Sequence, residues 1–573
     1  MSNPNKQKSS LLAIARGRLA RAVFLLKSEL PGRLARARDR LTSGAPYALW
    51  ARLLGSMQWR KGLPLAGRVG LQIAAMGITT FVFLTLNRRY YVNQVGFDEE
   101  YFVWGGWSIS KGMAPYRDFL EFKPPMVFIT HYFAQALFGF KDLAYRGFFA
   151  VFPLTSILAL QLALVARGIG RAVALAVMLA IVVLFVSPPW HDTALSDCES
   201  IGLSYYMLGL ACLLWEGRGI KVTTVLGGVF FSCCVLSKEP FGLVVVFSWL
   251  ALFWLRGRGT PSRDSAKLYA KYSLLGVVVM IAALCIYMVP SGAMKSYIDL
   301  VRSYSTIYRD PKRSYCILLG VAHEAPPLVA LQETWDKIRA SFLNENVLGY
   351  LLPILLPGAV FTLRRSKPLL AVTLLAFAGG LAAPPMSNCM WTHYYVMSMA
   401  GVIFALVVSA DSSKDLLRSA GRTTRWGTSA VLLLLVGLHG FPEISKEWKA
   451  RATYQRQPWS EPQPGLRAFI VQNTTPADRI FTTGAPILYP QTDRLSAVRE
   501  SAITDEMLGT YEGNTDEEKL RHIYRQLVKY KPKVVFLDSA DAGRKVRTIK
   551  ALMMPYLAEF KYRKINDQLY LRP

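Results

Sequence analysis

Cysteine is scarce in this chain and follows no pattern. The seven present in 573 residues form no CxxC pair and have no histidine partner close by, which excludes a zinc-ribbon site and a disulfide framework. Several lie inside apolar runs and read as packing residues. Acidic residues are few as well: 38 Asp and Glu stand against 67 Lys and Arg, a formal net charge of +29. In a soluble chain that excess would point to nucleic acid, but most of the basic residues lie between or beside apolar runs, where lipid headgroups account for them. Internal repeats and low-complexity tracts are missing, which argues against a solenoid or a two-halved transporter. Ahead of Arg68 no compact apolar core is followed by a small-residue cleavage site, so the N-terminal segment does not read as a cleaved signal peptide.

What the chain has in quantity is apolar sequence: 52% of its residues are hydrophobic, in runs that recur from Val69 almost to Gly440. Many approach the roughly 20 residues that cross a bilayer as helix. The expected fold is therefore a polytopic α-helical membrane protein. Residues 1–68 carry arginines at helical spacing among Leu, Ala and Val (LLAIARGRLARAVFLL), which reads as an amphipathic helix on an anionic cytoplasmic leaflet or as a regulatory or partner-binding arm.

Basic clusters at Arg167 and Arg171, Arg218 and Lys221, Arg256 to Lys271, Arg364 to Lys367, and Lys414 to Arg425 all belong in the cytoplasm by the positive-inside rule. The chain must then cross twice between successive clusters, and paired runs at 172–187 and 200–215, 222–237 and 240–255, 272–290 and 347–362, and 368–384 and 394–410 allow it. With spans near 69–87 and 143–166 and one last crossing, about eleven transmembrane helices are expected over 69–441. Pro124 to Phe140 becomes a juxtamembrane or re-entrant helix on the outer side. The N-terminus is then cytoplasmic, and residues 442–573 form an extracytoplasmic α/β domain. Within it, DEEKLRHIYRQLVKYKPKVVFLDS reads as an amphipathic helix followed by a buried strand, and KYRKINDQLYLRP as a closing strand or hairpin.

This topology collects the ionisable residues that are not simply basic on the outer face. Asp98, Glu99, Glu100, Arg117, Asp118, Glu121 and Lys123 lie in the first outer loop (88–142). His191, Asp192, Asp197 and Glu199 lie in the second, Lys238 and Glu239 in the third, and His393 in the fifth. The fourth loop, from Ser291 to about Asn346, is dense in Arg and Tyr, which suits interfacial anchoring and lipid-phosphate binding equally. Lys238 joins two apolar runs in SKEPFG with hardly any loop. An ammonium there calls for a partner anion, or snorkels to nearby carbonyls or Glu239. His393, beside Tyr394 and Tyr395, also fits an aromatic belt.

An acidic pair opening a helix, then GMAPYRDF, then EFKPP ahead of an aromatic amphipathic segment closely resembles the first extracytoplasmic loop of the GT-C glycosyltransferases. The bacterial aminoarabinose transferases of lipid A, the related galacturonic acid transferases and the protein O-mannosyltransferases are the most similar. The resemblance implies a fold with a C-terminal outer domain. It implies an enzyme of a bacterial inner membrane that takes a sugar from a polyprenyl-phosphate carrier and attaches it to a glycolipid, glycan or protein outside the cytoplasm, with membrane lipids and no nucleic acid as further partners. By position Asp98 matches the catalytic aspartate, with Glu99 beside it, and Lys123 matches the lysine that holds the carrier phosphate, with Arg117 and Lys238 as further cations. Phe122 stands where that motif has histidine. Glu199 takes the place of an acidic residue that precedes the following span, with Asp197 as its competitor. Some relatives bind a divalent cation near this loop, for which Glu121, Glu199 and His393 supply ligand types; no cofactor beyond that is implied. A single displacement with inversion is expected. The rival reading is a transporter or flippase of a lipid-linked sugar, in which charges would line a path through the bilayer.

Overall fold

The computed structural model describes residues 65–87, 97–139, 142–185, 195–216, 219–258, 263–309, 347–386, 396–419, 422–450, 463–499, 516–537 and 553–573. The basic N-terminal segment, His191, Asp192 and His393 lie outside them. Helix α1 (Leu65–Leu86) leads to two helices of the first loop, α2 (Phe97–Ser110) and α3 (Pro125–Phe138). There follow α4 (Asp142–Ala166), α5 (Arg171–Leu184), α6 (Cys198–Leu214), α7 (Ile220–Val235), α8 (Phe241–Arg258), α9 (Arg263–Met288) and α10 (Ala293–Arg309). The bundle ends with α11 (Val347–Arg365), α12 (Lys367–Met386), α13 (Val396–Ser419) and α14 (Arg422–Ala450). Among the described residues four helical stretches are long and apolar enough to cross a bilayer, Val69–Leu86, Ala144–Ala166, Ala266–Met288 and Val396–Lys414, and six shorter apolar helices accompany them. Large apolar side chains such as Ile73, Phe81, Val222, Val278 and Leu434 stay exposed on their outer surfaces, the surface expected of helices in hydrocarbon rather than water.

Small residues let these helices approach closely, as in membrane bundles generally. A Cβ on Gly228 of α7 would stand 1.9 Å from the Ser273 carbonyl oxygen of α9, and one on Gly276 would stand 2.0 Å from the Val225 carbonyl oxygen. The same device joins α2 to α3: a Cβ on Gly106 would sit 2.7 Å from the backbone of His131. Pro125 opens α3, where its missing N–H costs nothing, and Gly139 at φ +71° closes it.

The last helix departs from the expected boundary at 441. Residues after Phe441 turn polar, yet α14 continues to Ala450 with Pro442 inside it, because EISKEWKA is good helix-forming sequence whatever its polarity. Beyond it α15 (Leu466–Asn473), β1 (Arg479–Thr482), α16 (Leu488–Thr492), β2 (Leu495–Ser496), α17 (Asp516–Tyr530), β3 (Val534–Phe536), β4 (Arg563–Lys564) and β5 (Leu569–Leu571) build an α/β unit. Its sheet has the order β2-β1-β3-β5-β4, with β1 parallel to β2 and β3, and β5 antiparallel to β3 and β4. Alternation along the strands splits the sheet's two faces. Ile480, Val534, Phe536 and Leu569 join the apolar core of the helical bundle, whereas Phe481, Val535 and Tyr570 pack with Ile523 and Leu527 of α17 in a second core. One face of the sheet is thus buried toward the membrane helices, and Tyr489 of α16 meets Trp104 of α2 with ring centroids 5.6 Å apart.

Candidate active site

The segment between α2 and α3, residues 111–124, is pinned from three directions by distant parts of the chain. The Leu120 N–H donates to the Arg499 carbonyl of the α/β unit at 2.6 Å, and Met126 N–H, just past the segment, to the Leu236 carbonyl after α7 at 3.1 Å. Arg117 donates through Nη1 to the Ser291 carbonyl in the turn between α9 and α10 at 2.5 Å. Lys111 adds an ion pair to Asp493 of the same unit at 2.5 Å.

The second of these pins brings Lys123 beside the α7–α8 connection and Lys238. Helix α6 packs antiparallel to α7, so the first turn of α6 lies next to the same connection, and there Glu199 meets Lys238, Oε1 to Nζ 3.0 Å, with both side chains at most 7% exposed. The anionic partner that Lys238 needs is thus Glu199 rather than its neighbour Glu239. Of the two competing acids in the second loop, Asp197 takes the position before the first residue of α6, while Glu199 enters the cluster. The thiol of Cys198 donates to Glu199 Oε2 at 2.9 Å. Lys123, half-buried, acts electrostatically on both Glu239 and Cys198. Desolvation by the surrounding chain pushes the Glu239 carboxyl above the ordinary range while Lys238 and Lys123 pull it back. Glu121 is buried at the edge of this group, and its Oε1 accepts the Phe122 N–H at 2.9 Å.

Above Lys123 stands Tyr116, 1% exposed. Its hydroxyl donates to the Lys123 carbonyl at 2.8 Å. Its backbone has φ +64°, a left-handed conformation that is a genuine outlier for a bulky residue and costs about 1–2 kcal/mol. Burial, and after it Tyr297, Glu239 and Glu121, hold its phenol well above the ordinary pKa. It therefore serves as a fixed donor.

Arg117 is drawn away from the lysines. Besides Ser291 it holds Asp118, Nε to Oδ1 2.8 Å and Nη2 to Oδ2 2.5 Å, and its side chain is 49% exposed. Asp98 is half-buried on the first turn of α2. Glu99 beside it is 2% exposed and faces Tyr145, whose hydroxyl contacts His131 Nδ1. His131 Nε2 lies 2.9 Å from the Ser196 carbonyl, and burial lowers the imidazole pKa to about 3 against that bond. The ring is therefore neutral and donates to the carbonyl. The structure thus brings Lys123, Lys238, Glu199 and Glu121 together, separates Arg117 from them, and buries Glu99.

Sequence reasoning named Glu239 only as a neighbour of Lys238 and did not single out Tyr116. Glu239 stays exposed beside the buried Lys238, and Pro240 after it marks a connection with almost no loop. A left-handed tyrosine leaves no such trace, because glycine or asparagine is expected there. As for a divalent cation, no group of three His, Cys, Asp or Glu among the described residues is placed to hold one. The Glu199 carboxylate is engaged by the Lys238 ammonium and the Cys198 thiol, and His393, the third ligand type expected, lies outside the described residues.

No protein-family model matches the chain, and no curated protein matches it. Among solved structures the chain is similar to ArnT from Cupriavidus metallidurans in the apo state, with 16% identity over 88% of this chain and 97% of that one and a TM-score of 0.48. It is also similar to the same protein bound to undecaprenyl phosphate, with 16% identity over 75% and 85% and a TM-score of 0.42. A third similar structure is the Archaeoglobus fulgidus oligosaccharyltransferase in complex with Zn and sulfate, with 13% identity over 87% and 73% and a TM-score of 0.49. At this identity, and with TM-scores below 0.5, the function of the chain has to be argued from its residues.

Proposed function

We propose that the chain is a membrane glycosyltransferase that moves a sugar from a polyprenyl-phosphate carrier to an acceptor on the non-cytoplasmic face of a bacterial inner membrane. The observation that carries this reading is the meeting of Lys123 and Lys238, from separate loops, with Glu199 and Glu239 beneath the outer domain. Buried ammoniums at the membrane rim are costly unless they meet anions, and a carrier phosphate is the anion a lipid brings to that depth. Lys123 binds it, Lys238 is held beside it by Glu199, and Asp98 acts as general base. The acceptor hydroxyl oxygen forms a bond to the anomeric carbon, its proton passes to Asp98, and the carbon–oxygen bond to the phosphate breaks with the electron pair leaving on phosphate. Charge that develops on that oxygen is stabilised by the ammoniums, typically a large term in catalysis.

The proposed orientation draws support from the same placement. Arg167, Glu216, Asp411 and Lys414 gather at one end of the bundle, the end assigned to the cytoplasm. The first loop, Lys238, Ser291 and the α/β unit are joined at the other. Eleven crossings, with α3 and α10 on the outer surface, satisfy this arrangement.

Mass spectrometry of envelope lipids and glycans from cells with and without the chain tests the proposal. One sugar is expected to disappear from one glycolipid, glycan or protein and to return with the wild-type gene but not with Asp98→Asn or Lys123→Ala. Unchanged glycans accompanied by an altered solute distribution would instead establish a transporter.

A further inference from the structure

Lys123 immediately precedes a double proline. Pro124 and Pro125 have no N–H to give, and a residue before proline is confined to extended backbone. These prolines fix the local conformation of Lys123 but not its position. The Met126 N–H bond to the Leu236 carbonyl holds the segment from one side, and the Tyr116 hydroxyl, which bonds the Lys123 carbonyl at 2.8 Å, holds it from the other.

Tyr116 is itself held from two sides. Its ring lies 4.7 Å from Tyr297 of α10 and 6.2 Å, edge to face, from Phe128 of α3. The next residue, Arg117, is tied to Ser291 just before α10. A ring needed only for packing would not require a hydroxyl; phenylalanine fills neighbouring positions at Phe119, Phe122 and Phe128. Nor would packing alone explain a bulky residue kept at φ +64°, a conformation that persists where surrounding structure over-determines it and that clusters at functional sites.

We infer that Tyr116 is a positioning residue for phosphate binding by Lys123, and that α10 supports this placement through Tyr297. The inference rests on the proposed role of Lys123. It adds that the affinity for the carrier is set in part by a residue that does not touch it.

The probe is undecaprenyl phosphate, titrated against the purified full chain in lipid nanodiscs. Lys123→Ala is expected to weaken binding at least tenfold. Tyr116→Phe keeps the ring and removes the bond, and should weaken binding about fivefold, the equivalent of one net hydrogen bond, with an unchanged melting temperature. In the Lys123→Ala background the same change should have no further effect, because its action passes through that residue. Turnover should show a raised KM for the carrier-linked sugar at an unaltered kcat, which general loosening would not produce. Tyr297→Ala, on the half-buried face of α10, should weaken binding two- to threefold and serves as the second variant should Tyr116→Phe fold poorly. Native affinity in both tyrosine variants, with Lys123→Ala impaired, would overturn this inference and leave the role of Lys123 standing. A Tyr116→Phe loss that persists undiminished without Lys123 would overturn it equally. Native affinity in Lys123→Ala would overturn both.

Discussion

Two clusters of buried charge lie at opposite ends of the helical bundle, and they are built differently. At the end assigned to the cytoplasm, Arg167 Nε lies 2.6 Å from Asp411 Oδ1, Lys414 Nζ lies 2.8 Å from the same oxygen, and Arg167 also pairs with Glu216. Two cations meet two carboxylates, Asp411 is wholly buried, and the ties link the ends of α4 and α6 to α13. At the outer end Lys123 and Lys238 meet Glu121, Glu199 and Glu239 beside a double proline and a tyrosine in a left-handed conformation. Burial of charge is common to both and so does not distinguish a site from a strut. What distinguishes them is the backbone: the inner network joins the ends of ordinary helices, whereas the outer one includes a tyrosine in a left-handed conformation ahead of a double proline.

The sharpest way to break this contrast is to disable one end and read both stability and turnover. Asp98→Asn should cost about 10²–10⁴ in transfer rate, the usual worth of a general base, and Lys123→Ala about 10²–10³, that of one charge-stabilising donor. Neither should move the melting temperature in detergent by more than a few degrees. At the inner end the pattern reverses. Arg167→Ala leaves Asp411 buried without its main partner and should destabilise by about 3–5 kcal/mol, while transfer per folded molecule stays unchanged. Replacing Arg167 and Asp411 together by Met and Leu should cost far less. An inner variant that folds normally and fails to transfer sugar would show that the two ends are coupled rather than separate in role.

A smaller effect separates the scaffold of the outer site from its chemistry. Gly106→Ala would push a methyl into the His131 backbone at 2.7 Å, where no flexible side-chain end can swing aside, and should cost about 1–3 kcal/mol by overpacking. Because α2 also carries Asp98, transfer should fall in step with the melting temperature. Full activity in a destabilised variant would mean that α2 and α3 can part without disturbing the base.

Much of this arrangement is legible in the sequence because it is periodic or local. Each apolar run expected to cross the membrane is helical where described, Pro124 to Phe140 forms α3, and KYRKINDQLYLRP folds into the β4–β5 hairpin. EFKPP points to Lys123 through its resemblance to the lysine motif of the GT-C first loop, not through any spacing rule. What the sequence hides is pairing over distance. Arg167 and Asp411 stand 244 positions apart, and no spacing rule links them. Choosing Glu199 over Glu239 as the partner of Lys238 depends on α6 running antiparallel to α7, which composition cannot show. The conformation of Tyr116 goes against its own side chain and is imposed by Tyr297, Phe128 and the Arg117–Ser291 bond. Arg117, expected as a further phosphate-binding cation, places its guanidinium fork on Asp118.

That last pair gives the smallest expected effect and a measurable sign. Burial raises the Asp118 pKa, but the bonds from Arg117 and the Ala114 N–H, with charge from Arg117 and Arg479, outweigh it and hold the carboxyl below its ordinary value of 3.8. A depressed carboxylate contributes stability above the unfolded pKa and loses it as pH falls through the folded one. Both side chains are well exposed, 49% and 30%, so solvent screening limits the contribution to about 0.2–1 kcal/mol. Asp118→Asn should therefore lower the melting temperature by a degree or two at pH 7. The difference from wild type should stay flat down to about pH 4 and vanish below that, as the wild-type carboxyl takes up its proton. High salt should shrink the difference at neutral pH, whereas the inner Arg167–Asp411 pair, shielded from solvent, should not respond. A salt-sensitive inner pair and an insensitive outer one would reverse the order of burial that separates the two ends.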